Sequence, residues 1–413
     1  MDIRLEPRVL SGTVTPPPSK SMAHRLIIAA ALGAGVSTIR NVALSQDIAA
    51  TLRCVAALGG QWEQPEEGVL RIRGFGGRTP DPSAPLPHFD CGESGSTLRF
   101  FIPIALAAAG GGVFTGHGRL MERPQKPYFD LFDEMGIFHT LQDGVLTVRG
   151  RLTPGEYRLP GNVSSQFFTG LLFALPLLEG DSTVVSTTAL ESSDYITMTM
   201  SAMEAAGVPV TELPPESRGF RVSHHPYAPL EATVEADWSQ AGFWYAASFL
   251  DNHLTVQGLN PRSAQGDMVV SQLYWQLAKP GDTEIDLSGC PDLLPPLAVM
   301  AAARQGTTRF VNGARLRIKE SDRLTAVANL LTALGGAVEE LPDGLVVQGG
   351  RPLTGGRVDG CNDHRIVMAA AIAATRCAGA VTILGAQAVR KSYPDFFDVY
   401  QSLGGAVHVL CIR

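Results

Sequence analysis

One pattern recurs along this chain of 413 residues and limits what it can fold into. An amphipathic helix closes on glycine, and a strand, a tight turn and a second strand follow. It runs from Val55-Ala56-Ala57-Leu58-Gly59-Gly60 into Val69-Leu70-Arg71-Ile72, from Phe132-Asp133-Glu134-Met135-Gly136 into Val145-Leu146-Thr147-Val148, and from Met203-Glu204-Ala205-Ala206-Gly207 into Phe220-Arg221-Val222. Two more copies are Leu331-Thr332-Ala333-Leu334-Gly335-Gly336 into Leu345-Val346-Val347, and Leu403-Gly404-Gly405 into Val407 through Ile412. Glycine suits the left-handed residue that closes a helix, and Asp143-Gly144 and Asp343-Gly344 carry the signature of hairpin turns. The closing glycines stand at 59, 136, 207, 335 and 404, with gaps of 77, 71, 128 and 69 residues. The long gap is nearly two units, so a degenerate copy is expected near Leu273 to Pro280. Six units of roughly 70 residues imply an α/β chain of two domains with three units each. A boundary is expected near His224-His225-Pro226-Tyr227-Ala228-Pro229, where polar residues and prolines interrupt the pattern.

Composition narrows the function classes. Hydrophobic residues at 45% and charged residues at 18% describe a globular chain with ample core. The net charge of −7 argues against general nucleic-acid binding. Six scattered cysteines with no C-x-x-C pair point to a reducing compartment, so a cytoplasmic protein is expected. The segment Met1-Asp2-Ile3-Arg4-Leu5-Glu6 lacks the apolar core of a signal peptide. No apolar run reaches the roughly 18 residues of a membrane span.

Against that acidic background, basic and hydroxyl residues gather at expected helix starts. Ser19-Lys20-Ser21-Met22-Ala23-His24-Arg25 precedes the apolar run Leu26 to Leu32, with Ser21 and Arg25 on one helix face. Helix starts carry unpaired N–H groups and partial positive charge, so added cations make an anion site. Further candidates are Cys91-Gly92-Glu93-Ser94-Gly95-Ser96-Thr97-Leu98-Arg99 before Phe100 to Ala109, and Gly161-Asn162-Val163-Ser164-Ser165-Gln166 before Phe167 to Leu178. Lys319-Glu320-Ser321-Asp322-Arg323 has helical i,i+3 and i,i+4 spacing. Asn362-Asp363-His364-Arg365 heads the apolar run Ile366 to Ala374. In Arg390-Lys391-Ser392-Tyr393-Pro394-Asp395, Pro394 suits an early helical position. Arg123 follows Glu122, and Asp292 precedes Leu293 to Ala303, where it could cap a helix. Each segment alone has an ordinary structural explanation: an N-cap, or a solvated helix face with internal ion pairs. Their coincidence points to one or two ligands with several negative charges, gripped by guanidinium forks. Asp292 and Glu320 then stand as carboxylates for proton transfer inside a cationic pocket. Neither a nucleotide P-loop order nor a dinucleotide glycine fingerprint after a clear strand is present.

These segments, in this order from Pro18 to Pro394, resemble the 5-enolpyruvylshikimate-3-phosphate synthase family. The motifs that carry the resemblance are Ser19-Lys20-Ser21 with Arg25, Gly161 to Phe167, Leu316-Arg317-Ile318-Lys319-Glu320-Ser321-Asp322-Arg323, and Asn362-Asp363-His364-Arg365. The resemblance implies two lobes, each an inside-out α/β barrel of three βαβαββ repeats, with the active site in the cleft between them. One lobe would span 20–228, and the other would combine 1–19 with 229–413. It implies transfer of the enolpyruvyl group of phosphoenolpyruvate to the 5-hydroxyl of shikimate 3-phosphate, releasing phosphate by addition and elimination, with no metal or organic cofactor. This is the sixth step of the shikimate pathway to chorismate and the aromatic amino acids.

By the same resemblance, Lys20, Ser21, Arg25, Ser164, Ser165, Gln166, Ser192, Asp292 and Lys319 would contact shikimate 3-phosphate. Lys20, Gly95, Arg123, Gln166, Arg323, Arg365 and Lys391 would contact phosphoenolpyruvate. Asp292 would accept the 5-hydroxyl proton, with Glu320 and Lys20 moving the proton at the enolpyruvyl methylene. A monomer is implied, with no nucleic-acid or membrane partner. This chain departs from the family pattern at Glu93-Ser94-Gly95-Ser96 (often Asn-Ala-Gly-Thr), at Phe100 (commonly proline), at Arg315 (an asparagine contact) and at Trp238-Ser239-Gln240. Glu93 and Phe100 bear on the response to glyphosate, which occupies the phosphoenolpyruvate pocket in the family.

Three alternatives are distinguishable. UDP-N-acetylglucosamine enolpyruvyl transferases characteristically open on Gly-Ala-Lys-Asn and carry a reactive loop cysteine. This chain has Ser19-Lys20-Ser21 and no cysteine between Cys91 and Cys290. A non-catalytic anion-binding homologue would be expected to lose Asp292 or Glu320, and an RNA-end cyclase would be expected to carry a basic surface.

Overall fold

The computed structural model describes residues 1–76 and 84–411. The chain forms two compact units, Pro18–Glu235 and a discontinuous one, Met1–Pro17 with Ala236–Arg413. The second division falls seven residues beyond the expected 228/229. Strand Glu231–Thr233 pairs in parallel with Val36–Arg40, and the Val234 amide donates to the Arg40 carbonyl, so hydrogen bonding ties this stretch to the first unit. The first division falls two residues before the expected 19/20. The Asp237 amide donates to the Pro17 carbonyl, linking the two segments of the discontinuous unit.

Unit Pro18–Glu235 carries helices α1 (Lys20–Leu32), α2 (Gln46–Ala57), α3 (Gly95–Ala109), α4 (Lys126–Met135), α5 (Ser165–Ala174) and α6 (Ser193–Ala205). The other unit carries α7 (Trp238–Phe249), α8 (Val270–Ala278), α9 (Leu294–Ala303), α10 (Arg323–Ala333), α11 (His364–Ala374) and α12 (Phe396–Ser402). A complete repeat reads strand, helix, strand, helix, hairpin. Its first two strands pair in parallel and the hairpin adds antiparallel, as in the spatial order His88–Asp90, Gly111–Thr115, Val145–Arg149, Phe138–Gln142. The same order holds for Glu156–Leu159, Ser182–Ser186, Gly219–Val222, Thr211–Glu212, and for Thr283–Asp286, Thr307–Val311, Gly344–Gln348, Ala337–Leu341.

Two sheets are completed by sequence-distant strands. Glu231–Thr233 supplies the leading strand beside Val36–Arg40, and Asp2–Glu6 lies between Val381–Leu384 and Ala406–Cys411. The remaining sheet has two strands, Ser11–Val14 and His253–Val256. Helix α8 covers most of the expected degenerate copy, but four residues later the chain enters strand Thr283–Asp286 without making a hairpin. That shortened repeat explains the compressed glycine gap.

All five closing glycines take positive φ: +87° at Gly59, +66° at Gly136, +77° at Gly207, +83° at Gly335 and +99° at Gly404. One turn differs from expectation. Asp143 and Gly144 both adopt positive φ (50° and 74°), the geometry of the hairpin turn that their sequence predicts. Leu341, however, pairs directly with Gly344, so Pro342-Asp343 makes the second turn. Gly344 is needed there because a Cβ would collide with the Phe310 carbonyl. The fifth expected hairpin strand ends at Ile412, outside the described residues.

The first helix of each repeat (α1, α3, α5 in one unit; α7, α9, α11 in the other) is buried along most of its length. Apolar residues on all sides of a helix suit it to a core. The second helices α2, α4, α10 and α12 leave more of their length exposed. Five of the six first helices start on a capping serine or aspartate, α9 starting instead on Leu294-Pro295 just after Asp292, and most candidate site residues lie at or near such starts. Among the described residues no helix is long and apolar enough to cross a membrane.

Asn252 locks the discontinuous unit. Its Oδ1 accepts from the Leu10 amide at 2.6 Å, and its Nδ2 donates to the Ala247 carbonyl and to Thr375 Oγ1, both at 2.9 Å. Asn252→Ala orphans a buried amide and should cost about 1–3 kcal/mol. A drop in the thermal unfolding midpoint measures this, and an unchanged midpoint refutes it.

Candidate active site

In unit Pro18–Glu235, Ser19 caps α1, its Oγ accepting from the Met22 amide. Lys20, the first helical residue, pairs through Nζ with Asp47 Oδ2 of α2 at 2.8 Å. Arg25, one turn further, is 2% exposed. Its Nε donates to Thr199 Oγ1 at 2.9 Å and its Nη2 reaches Thr169 Oγ1 at 3.5 Å. Its Nη1 meets the Ser21 carbonyl rather than the Ser21 hydroxyl. The guanidinium also lies over the Phe100 and Tyr195 rings, 5.4 and 5.7 Å from their centroids. Among the described residues it has no carboxylate partner, and burial lowers its pKa to about 10, with Tyr195 opposing. A buried cation held by hydroxyls and ring faces is a standing demand for an anion.

Three other helix starts complete this set. Ser94 caps α3, and Gly95 begins it. A Cβ on Gly95 would lie 2.6 Å from Arg123 Nη1, so the two are in contact only because position 95 lacks a side chain. Gln166 sits between Arg99 Nη1, which donates to its Oε1 at 2.8 Å, and Ser96 Oγ, which accepts from its Nε2 at 2.9 Å. Arg99 Nη2 reaches the Pro124 carbonyl beside Arg123. Gly95, Arg123 and Gln166 are thus one group, with Arg99 as its strut. Ser164 caps α5 through the Gln166 amide, and Ser165 follows it, buried. Ser192 precedes α6 at φ 53°, a left-handed conformation unusual for serine. Such backbone strain clusters at functional sites. Glu93 turns toward Gly118, where a Cβ would stand 2.6 Å from its Oε2.

The discontinuous unit is organised by Arg323. Its Nε donates to Asp363 Oδ2 at 3.0 Å, its Nη1 to Asp292 Oδ1 at 2.8 Å and its Nη2 to Glu320 Oε2 at 2.7 Å. Burial opposes its charge, but Asp363, Glu320 and Asp292 outweigh that and raise its pKa. Asp292 also accepts from Arg365 Nη2 at 2.9 Å, and Lys319 Nζ lies 3.6 Å from it. Arg365 Nη1 donates to Ser239 Oγ at 2.7 Å. Burial lowers the Lys319 pKa to about 8, although a quarter of its side chain still meets solvent and Asp292 opposes the shift. Lys391 Nζ donates to the Asn362 carbonyl at 2.6 Å, beside Asp363. Asp292, Lys319, Glu320, Arg323 and Arg365 therefore form one network, and Lys391 is tied to the start of the same helix α11.

Several local readings are corrected. Lys319 and Glu320 are not on a helix face: a 3-10 turn covers Ala314–Ile318, Asp322 caps α10, and Arg323 is its first residue. The Glu320–Arg323 pair forms across the bend between that turn and α10. Asp292 lies in the 3-10 turn Pro291–Leu293 and caps nothing, which leaves both its oxygens for cations. Pro394 lies in the turn before α12 rather than inside it. Asp363 does cap α11, accepting from the Arg365 amide at 2.9 Å, and ion-pairs with Arg323 through its other oxygen. Arg315 donates to the Ser288 carbonyl, and Trp238 Nε1 to the Asn260 carbonyl at 3.0 Å.

Sequence reasoning missed Asp47, Thr169 and Thr199, and gave Arg99 no role. Thr169 and Thr199 stand in helix interiors with no motif spacing, and Asp47 lies in the first turn of α2. Among the described residues no group of three or more His, Cys, Asp or Glu side chains is arranged to hold a metal ion.

Buried guanidinium groups thus stand in or at the starts of α1, α10 and α11, with carboxylates around those of α10 and α11. The chain belongs to the EPSP synthase (3-phosphoshikimate 1-carboxyvinyltransferase) family, whose model matches residues 6–400. It is 42% identical over 424 residues to the 3-phosphoshikimate 1-carboxyvinyltransferase of Clostridium acetobutylicum, covering 98% of each chain. The enzyme of the same name from Clostridium kluyveri is 40% identical over 423 residues, covering 98% of each. Among solved structures, EPSP synthase from Acinetobacter baumannii matches with a TM-score of 0.79 at 23% identity, covering 100% of both chains. The enolpyruvyl transferase NikO from Streptomyces tendae matches with a TM-score of 0.76 at 16% identity over 98% of each. These two show the shared fold.

Asp363 is fully buried against the Arg323 guanidinium. Asp363→Ala removes that partner and the α11 cap together and should cost about 3–5 kcal/mol. Asp363→Asn, which can still cap, should cost less. Equal melting points for the two variants would refute the cap's part, and a wild-type melting point for Asp363→Asn would refute the ion pair's.

Proposed function

We propose that the protein transfers the enolpyruvyl group of phosphoenolpyruvate to the 5-hydroxyl of shikimate 3-phosphate, releasing inorganic phosphate. Asp292, set between two guanidinium groups and an ammonium, carries the proposal. Such a carboxylate can take a hydroxyl proton while the surrounding cations hold an anionic co-substrate. Each unit is read as an inside-out α/β barrel, which the buried first helices and flanking sheets support. Membership of a biosynthetic enzyme family and six unpaired cysteines support a cytoplasmic setting.

Shikimate 3-phosphate takes the hydroxyl-lined groups. Ser164, Ser165 and Ser192 meet its phosphate, and Ser21, Arg25 and Lys319 hold the remainder. Phosphoenolpyruvate takes Lys20, Arg123, Gln166, Arg323, Arg365 and Lys391, with Gly95 leaving room for it. In the addition step, Glu320 or Lys20 delivers a proton to the methylene carbon. The 5-oxygen bonds to the adjacent carbon, and its proton passes to Asp292. In the elimination step, the group that gave the proton, Glu320 or Lys20, takes one back from the new methyl group, the carbon–oxygen bond to phosphate breaks, and phosphate departs with the electron pair. Fixed cations neutralise the substrates' charges without reorganising, which lowers the barrier to both steps.

Phosphate release is expected only when both substrates are supplied. Release with a UDP-sugar acceptor in place of shikimate 3-phosphate overturns the assignment. Asp292→Asn should lower turnover by about 10²-fold or more while shikimate 3-phosphate binding, read by calorimetry, stays within about threefold. Turnover at the wild-type level removes Asp292 from the chemistry. Gly95→Ala pushes its methyl into Arg123 and should raise KM for phosphoenolpyruvate about tenfold with a smaller change in kcat. An unchanged KM would show that Arg123 does not contact that substrate.

A further inference from the structure

His24 sits in α1 between Lys20 and Arg25 and is given no part in the transfer. It is buried, and its Nδ1 lies 2.7 Å from Thr51 Oγ1 of α2. Thr51 Oγ1 lies 2.7 Å from Thr97 Oγ1 of α3, and Thr97 Oγ1 donates to Ser94 Oγ at 2.8 Å. Ser94 caps α3, its Oγ also accepting from the Thr97 amide at 3.2 Å. Buried side chains from α1, α2 and the start of α3 therefore form one chain of hydrogen bonds.

Counting protons fixes its direction. A hydroxyl has one proton to give. Thr97 gives its proton to Ser94, so between the two threonines Thr51 is the donor. Thr51 then offers only lone pairs to His24, so Nδ1 carries the hydrogen. Burial first, then Lys20 and Arg25, hold the imidazole pKa well below the ordinary 6.5. The neutral ring has a single N–H. Nε2 is the bare nitrogen, and it has no hydrogen-bond partner among the described residues.

The chain has a second footing. Lys20 and His24 stand one turn apart on α1, as do Asp47 and Thr51 on α2, and Lys20 Nζ reaches Asp47 Oδ2 at 2.8 Å. Two rungs thus join α1 to α2, and the second runs on to the cap of α3. Directly after that cap come Gly95, where a Cβ would lie 2.6 Å from Arg123 Nη1, and Ser96, whose Oγ accepts from Gln166 Nε2 at 2.9 Å.

We propose that His24 is a positioning residue for the start of α3: as the Nδ1–H tautomer it heads a one-way hydrogen-bond chain through Thr51 and Thr97 to Ser94, which holds Gly95 and Ser96 in register with Arg123 and Gln166. The proposal rests on the reading of Gly95, Arg123 and Gln166 as phosphoenolpyruvate contacts.

The test uses the full chain. Heteronuclear NMR of the imidazole nitrogens at neutral pH, with His24 assigned by its loss in His24→Asn, should show Nδ1 protonated and Nε2 bare. The opposite tautomer, or an imidazolium, overturns the proposal. In steady-state kinetics, His24→Leu fills the space without a donor. It should raise KM for phosphoenolpyruvate about fivefold, with kcat and KM for shikimate 3-phosphate within about twofold. The His24→Asn amide can donate from the place of Nδ1, so this variant should bring KM back to within about twofold of wild type. Thr51→Val should match His24→Leu, and the double variant should add less than about twofold, because both cut one chain. An unchanged KM for phosphoenolpyruvate in His24→Leu, equal KM values for His24→Leu and His24→Asn, or independent multiplication of the His24→Leu and Thr51→Val effects overturns the proposal. Should His24→Leu fail to fold, Thr51→Val against Thr51→Ser decides, and equal KM values for those two overturn it. A wild-type protein that releases no phosphate from the two substrates removes the functional reading itself, whereas an active wild type with an unaltered KM in His24→Leu removes only this inference.

Discussion

Arg323 is the interaction on which the discontinuous unit's site depends. One guanidinium, 1% exposed, bonds the carboxylates of Asp292, Glu320 and Asp363, which come from three separated stretches of chain. A buried charge is tolerated only when paired and hydrogen-bonded, so satisfying Arg323 also fixes where the three carboxylates stand. Asp363 is at once the cap of α11 and the carboxylate behind Arg323. Helix start and cation cluster cannot shift separately.

The two units handle buried cations in opposite ways. Arg323 is surrounded by acids. Arg25 is surrounded by the hydroxyls of Thr169 and Thr199 and the rings of Phe100 and Tyr195. The first arrangement is neutralised internally and fixes where its carboxylates stand. The second leaves its charge uncompensated and suits capture of an anion. Phe100 stands where the family commonly has proline, and it supplies one ring face to Arg25. Glu93, the other departure on the same helix approach, turns toward Gly118.

The repeat explains why so many candidate site residues stand at helix starts. Each first helix is buried along most of its length, so its body is mostly apolar, with exceptions such as Arg25, Arg99 and Thr169, while its start must satisfy free N–H groups. Serine and aspartate caps do this at Ser19, Ser94, Ser164, Asp237 and Asp363. The fold thus generates polar helix starts as a by-product of burying helices, and the site residues are additions to positions already made polar.

The sequence by itself determined the repeat period, the left-handed glycines, the α/β class, and the short segments that hold Lys20, Arg25, Asp292, Arg323 and Arg365. These are local: capping, turn chemistry and apolar periodicity act within a few residues of one another. Tertiary structure alone decided the partners. Nothing near Asp47 announces Lys20, and nothing near Thr199 announces Arg25. It also decided that Lys319 and Glu320 sit in a turn, that one repeat lacks its hairpin, and that Asp2–Glu6 and Glu231–Thr233 each complete a sheet begun far away in sequence. The reason is physical: pairings across many residues are set by which faces must be buried together, and that requirement leaves no periodic mark on either partner.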